Sequence, residues 1–247
     1  VFIKRYGQGA RAFFGLHGWS GDHRTFEPLV EFLPRDATLY SADLPGCGNS
    51  PAIEDLNPES LAAEIAKAVQ AIDAPRVTFI GNCSGAILGL SAMSRIAERI
   101  DRLALIDPFA YAPWYFRVFV SRRIGKYAYY STFANPIGRW IANLSLRKHR
   151  AEETHLTESF GRVDHAVSLR YLQLMIAIDG IDQWRWIGHP IDIVYGERSF
   201  GAVRTSVAMW QVLWPRARVF ELKGAGHLPI QEATRELSRI VFEPSTV

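Results

Sequence analysis

The chain has 247 residues, 48% of them hydrophobic and 21% charged, with a formal net charge of +3. That suffices for one full core, and the charge is too mild to indicate a nucleic-acid binder. Two cysteines exclude a disulfide framework, and no apolar run is long enough to span a bilayer.

"VFIKRYGQGA" at the start lacks the apolar centre of a signal peptide. A soluble, cytoplasmic protein is therefore expected, with no nucleic-acid partner and no integral membrane contact. "RAFFGLHG" (11–18) and "ATLYSADLPG" (37–46) read as strands running into glycine-containing loops. Between them "RTFEPLVEFL" (24–33) has helical spacing. "NPESLAAEIAKAVQAI" (57–72) is a stronger helix, with Asn57 as N-cap and Pro58 at its first position. "RVTFIG" (76–81) reads as a buried strand, "GAILGLSAMSRIAERI" (85–100) as the helix after it, and "RLALID" (102–107) as another strand. After a long excursion come strand "IDIVYG" (191–196), helix "TSVAMWQVL" (205–213), strand "ARVFEL" (217–222) and a last helix near 230–242. Alternation of apolar strands with helices predicts an α/β chain, a mostly parallel sheet covered on both faces. The core is expected over 1–107 and 188–247.

The excursion, 108–187, is too long for a loop and reads as a helical lid inserted between two late strands. It is rich in aromatic residues. Between Tyr111 and Arg150 it carries Arg117, Arg122, Arg123, Lys126, Arg139, Arg147, Lys148 and Arg150, with no Asp or Glu. Arg122, Arg123 and Lys126 are the candidate partner-binding residues. This basic surface suits an acidic carrier protein or the phosphates of coenzyme A; a solvated face over a lid core and an anionic membrane surface are the other readings.

The chemistry turns on "FIGNCSGAILG" (79–89), a strand entering a small-residue helix. A nucleophile on such a strained turn needs small residues two before and two after it. Centred on Cys83 these are Gly81 and Gly85; centred on Ser84 they are Asn82 and Ala86, a poorer fit. Cys83 is the candidate nucleophile, and a buried, inert cysteine in a glycine-rich turn is the alternative.

Four motifs now stand in order at strand ends: "LHGWSGDHRTF" (16–26), "DLPGCGNS" (43–50), the elbow, and "GAGHLP" (224–229). Together they resemble the α/β-hydrolase superfamily, in a cysteine-nucleophile variant similar to carrier-protein ester hydrolases and thioesterases. The resemblance implies the α/β-hydrolase fold. It also implies His227 as general base, His17 as a shaping residue of the oxyanion loop, and the backbone N–H groups of Trp19 and Ser84 as oxyanion donors. The family often carries its acid as G-x-x-D after the next-to-last strand, where this chain has Gly196-Glu197-Arg198-Ser199. Ser199 fills the acid's slot. Asp107, after the preceding strand, is the preferred candidate; Glu197 and a Cys-His dyad remain open. His23, His149, His155, His165 and His189 show no metal-ligand spacing, so neither metal nor cofactor is expected, and Cys47 reads as structural.

A thiol accepts an acyl group from a thioester with little change in bond energy. The expected activity is an acyl hydrolase or acyltransferase acting through an acyl-enzyme on thioesters or esters of coenzyme A or acyl carrier protein. The alternative is a non-catalytic relative that binds a small ligand or a protein, suggested by the serine at 199.

Overall fold

The computed structural model describes residues 1–178 and 180–243. Residues 244–247, at the end of the expected core segment, and Asp179 of the expected lid lie outside the described residues.

Seven strands form one sheet in the order β1-β3-β2-β4-β5-β6-β7. They are β1 (Ile3–Gly7), β2 (Arg11–Leu16), β3 (Ala37–Ala42), β4 (Val77–Asn82), β5 (Ile100–Ile106), β6 (Ile191–Gly196) and β7 (Arg218–Leu222). Only β1 runs antiparallel, pairing Ile3 with Ala42 and Gly7 with Thr38 at the sheet edge. This is the α/β-hydrolase fold that the motifs imply. The edge strand β1 escapes the apolar pattern because Lys4 and Arg5 are exposed.

The helices are α1 (Pro58–Gln70), α2 (Ser84–Leu90), α3 (Met93–Ile96), α4 (Trp114–Phe119), α5 (Gly125–Tyr129), α6 (Pro136–Ser145), α7 (His165–Ala177), α8 (Gly201–Leu213), α9 (Pro229–Glu232) and α10 (Thr234–Phe242). Three expectations are corrected. The helix expected over 24–33 is a 3-10 helix, His23–Phe32, with Pro28 inside it; proline has no N–H to give an α-helical ladder. The helix expected over 85–100 is split into α2 and α3, and the Ser91 hydroxyl at the break donates to the Leu88 carbonyl at 2.5 Å. The last helix divides at Ala233, whose φ of −140° and ψ of 41° are not helical. In α1 the expected cap is present: the Asn57 side chain accepts from the N–H groups of Glu59 and Ser60, a device worth about 1 kcal/mol.

Adjacent strand residues point to opposite faces, so continuous apolar strands feed two cores. Phe14, Phe79, Leu103 and Leu105 pack under α1, α2 and α8. Phe13, Ile80, Ala104 and Ile106 pack under the 3-10 helix and α10. Polar groups join the far strands: Arg102 of β5 donates to Asp192 of β6 at 2.8 Å, and Arg218 of β7 donates to the same carboxylate at 2.7 Å.

Helices α4 to α7 all fall between β5 and β6. Their segment is joined to the core: Tyr171, Leu174, Trp184 and Ile187 belong to the main cluster. Tyr129, Phe133 and Phe160 form a smaller one against the Trp19 ring.

Candidate active site

Cys83 stands between β4 and α2 with φ 52° and ψ −119°, a conformation that side chains rarely tolerate. A Cβ at Gly81 would lie 2.5 Å from Ala86 Cα, and one at Gly85 would lie 2.3 Å from the carbonyl oxygens of Leu16 and His17. A side chain at either position would collide with the backbone around it. The Cys83 N–H is anchored on the Ile106 carbonyl at 2.7 Å.

Cys83 Sγ lies 3.5 Å from His227 Nε2, and His227 Nδ1 lies 2.6 Å from Asp107 Oδ2. Asp107 is fully buried at the end of β5. Its Oδ1 accepts from the Gly196 N–H at 3.0 Å and its Oδ2 from the Ser199 hydroxyl at 2.5 Å. Ser199 Oγ is also 3.2 Å from His227 Nδ1. Of the acid alternatives, Asp107 is the carboxylate on the ring. Glu197 is not: it is exposed and accepts from the Gly224 N–H at 2.8 Å.

Burial disfavours the charged ring of His227, but the Cys83 sulfur and then the Asp107 carboxylate more than reverse this, raising it to about 10. Its side chain is only 12% exposed. Phe109 and Phe200 pack on the ring at 5.6 and 4.6 Å between centroids. The His227 N–H donates to the carbonyl of His149 at 2.7 Å. His149, to which the sequence assigned no site role, thus links the inserted segment to the histidine loop. Ser199 is marked in the sequence as the residue in the acid's usual slot, whereas Phe109, Phe200 and His149 carry no local signal and meet the ring only through the tertiary fold.

The oxyanion loop departs from expectation. The Trp19 N–H donates to Ser84 Oγ at 2.7 Å, so Ser84 contributes its side chain as well as the N–H that opens α2. Helix-opening N–H groups lack intrahelical partners, which leaves that of Ser84 suited to an anion. The Trp19 indole donates to the Ser168 carbonyl at 2.8 Å, and its ring packs edge-on against Phe116, Phe133 and Phe160. His17 holds the loop as expected. Its Nε2 accepts from the Leu44 N–H at 3.0 Å, so Nδ1 carries the proton and donates to the Gly18 carbonyl at 2.8 Å. Burial lowers its pKa, favouring that neutral form.

Burial pushes the Cys47 thiol up to about 12, which suits the structural part expected of it. Asp22, His23 and Asp43 offer potential metal ligands within 4.8 Å of one another. Asp43, however, already accepts from the N–H groups of His23 and Asn49 at 2.5 and 2.7 Å, serving its own loop. Arg122, Arg123 and Lys126 are exposed on the inserted segment. A cleft of about 440 Å³ beneath the oxyanion loop is lined by Trp19, Ser84, Ser159, Asp164 and Tyr171 among others. Among the described residues, no helix is long and apolar enough to cross a membrane.

Comparison with known proteins agrees with this architecture. The model of the alpha/beta hydrolase family matches residues 14–240. Over 85 residues the chain is 33% identical to the biotin biosynthesis bifunctional protein BioHC of Cellvibrio japonicus, covering 34% of this chain and 16% of that protein. Over 95 residues it is 30% identical to a pimeloyl-[acyl-carrier protein] methyl ester esterase of Neisseria meningitidis, covering 38% and 35%. The chain thus spans well under half the length of these two relatives. An esterase structure from Thermogutta terrifontis superimposes with a TM-score of 0.78 at 17% identity, covering 97% of this chain and 90% of that one. The enol-lactonase of Burkholderia xenovorans superimposes with a TM-score of 0.72 at 18% identity, covering 97% and 94%. At such identities the two structures speak for the fold alone.

Proposed function

The chain belongs to the alpha/beta hydrolase family, and from that membership and the geometry around Cys83 we propose a cysteine-dependent acyl hydrolase or acyltransferase. The observation that carries the reading is one line of contacts, Cys83 Sγ to His227 Nε2 at 3.5 Å and His227 Nδ1 to Asp107 at 2.6 Å.

The steps follow from these positions. His227 takes the thiol proton, and Cys83 Sγ attacks the acyl carbonyl carbon. The resulting oxyanion rests on the N–H groups of Ser84 and Trp19, the latter released as the Ser84 hydroxyl turns away. Collapse breaks the bond to the alcohol or thiol leaving group, which takes the proton from His227 Nε2 and leaves a thioester on Cys83. Water, or another nucleophile, then attacks that thioester with His227 taking its proton. The bond between the acyl carbon and Cys83 Sγ breaks, the sulfur recovers the proton from His227 Nε2, and the acyl product departs. Asp107 touches no reacting atom; it holds the ring's orientation and favours the imidazolium.

Esters and thioesters of coenzyme A or a carrier protein are the substrate class. The pimeloyl-[acyl-carrier protein] methyl ester esterases among the relatives support a carrier-borne ester as one member. A purely ligand-binding role would rest on the serine at 199; Asp107 beside that serine and on the His227 ring supports the catalytic reading instead. The test is incubation with a panel of acyl thioesters, followed by intact-mass measurement. An acyl adduct on Cys83 with release of product is the expected result; full turnover by Cys83→Ala sinks the reading.

A further inference from the structure

Helix α6 is turned inside out. Ile137, Trp140, Ile141 and Leu144 are 67, 65, 55 and 49% exposed. They fall at i, i+3, i+4 and i+7, which is one face of a helix. The inward residue is polar: Asn143 is buried, its side chain bonded to His155 Nδ1 at 2.7 Å and to the Leu156 N–H at 3.0 Å. Nearby on the chain, Trp114 and Tyr127 are each 77% exposed and Ile124 is 58% exposed. Single apolar side chains at a surface need no explanation, whereas a continuous stripe marks an interaction site.

Charge narrows the partner. The eight basic residues between Tyr111 and Arg150 face no acidic residue in that stretch, and setting them aside leaves 20 basic against 25 acidic residues elsewhere in the chain. Positive charge is therefore concentrated on this segment. A second copy of the chain would bring two such segments together, and their repulsion opposes it. An acidic protein answers the charge but not the combination of exposed tryptophan, tyrosine and aliphatic side chains bordered by Arg and Lys. That combination suits the boundary between lipid headgroups and acyl chains.

We propose that this face docks reversibly on an anionic lipid surface, with α6 in the headgroup plane and Trp140 and Ile141 toward the acyl chains. Helix α4, in the same inserted segment, reaches the site: Trp114 is exposed, while Phe116 packs against Trp19 and Phe109, and Phe109 against His227. Docking would bring lipid-borne acyl groups to Cys83. That consequence rests on the proposed function, but lipid binding itself does not, and the two are read out separately.

The test is flotation of the full chain with vesicles of phosphatidylcholine alone, or with about a third of the lipid replaced by phosphatidylglycerol. Binding to the anionic vesicles only is expected, with release as salt is raised. Trp140→Ser with Ile141→Ser, and separately Arg122→Glu with Arg123→Glu and Lys126→Glu, should each weaken binding about tenfold or more. All five side chains are exposed, so unchanged thermal melts are expected and serve as the folding control. Failure to float with either vesicle, or undiminished flotation of both variants, overturns the proposal. So does a dimer that the Trp140 variant abolishes, or retention on an immobilised acidic carrier protein that anionic vesicles fail to displace.

Discussion

The Ser199 hydroxyl donates to Asp107 Oδ2 at 2.5 Å while lying 3.2 Å from His227 Nδ1. Serine at the end of β6 and carboxylate at the end of β5 therefore share one place beside the ring. Two predictions follow from that exchangeability. Asp107→Asn should lower kcat, by less than the roughly 10⁴-fold lost when a serine triad loses its acid, because a thiol depends less on an orienting carboxylate. Combining Asp107→Asn with Ser199→Asp should then recover part of the rate. Steady-state kinetics of both variants decide it; a double variant no better than the single shows that the 199 position cannot serve the ring.

Cys83→Ala should abolish turnover and labelling by thiol reagents. Cys83→Ser tests the tuning of the site more sharply. The serine hydroxyl is a far weaker acid, so His227 must remove during the attack a proton that a thiol yields to it beforehand. The serine variant should be slower by about 10²-fold or more. Equal rates would mean that the elbow is indifferent to the nucleophile.

His227 should titrate far above an ordinary imidazole, near 10, with Cys83 as the largest raising influence. Its folded value lies above the unfolded one, so the stability it contributes is fully present below about 6.5 and lost as pH rises through about 10. Nitrogen chemical shifts of the ring should report imidazolium at pH 8 in the parent and a lower titration midpoint in Cys83→Ala. A neutral ring at pH 8 in the parent would remove the ion pair from the mechanism.

Cys83 and His227 were legible because each sits in a short motif whose glycines have a local steric reason, as at Gly81 and Gly85. Asp107 could be preferred from its strand end while Glu197 and a dyad stayed open, since the strand ends at β5 and β6 meet only when the sheet assembles. Phe200 and His149 were invisible for the same reason. Among the elements, β1 was missed because its exposed Lys4 and Arg5 mask an edge strand. Helix α6 shows a different limit. Its apolar spacing announces a helix face but not whether that face turns inward, and buried Asn143 decides it.

The Ser84 hydroxyl occupies the Trp19 N–H that an oxyanion needs. Opening that bond costs about 0.5–1.5 kcal/mol, the net worth of an ordinary hydrogen bond. Ser84→Ala should therefore raise kcat/KM about twofold to tenfold on a small ester. A fall of tenfold or more would instead make the hydroxyl a donor to the oxyanion.

Asp192 should matter for stability. It is 1% exposed, and Arg102, 5% exposed, pairs with it while also donating to the carbonyls of Val241 and Glu243 at the end of α10. This network joins β5 and β6 to the last helix, and Arg218 extends it to β7. Asp192→Ala leaves the Arg102 guanidinium buried without a counter-charge, a loss of about 3–5 kcal/mol. For a chain of this size that corresponds to a fall in melting temperature of roughly 10 °C. Arg218→Ala removes a partner that is 45% exposed and should cost no more than about 1 kcal/mol. Urea unfolding of the three proteins, read as a shift in midpoint at constant slope, separates the two effects. Equal destabilisation by both variants would mean that packing around Asp192, rather than the unpaired Arg102 charge, carries the cost.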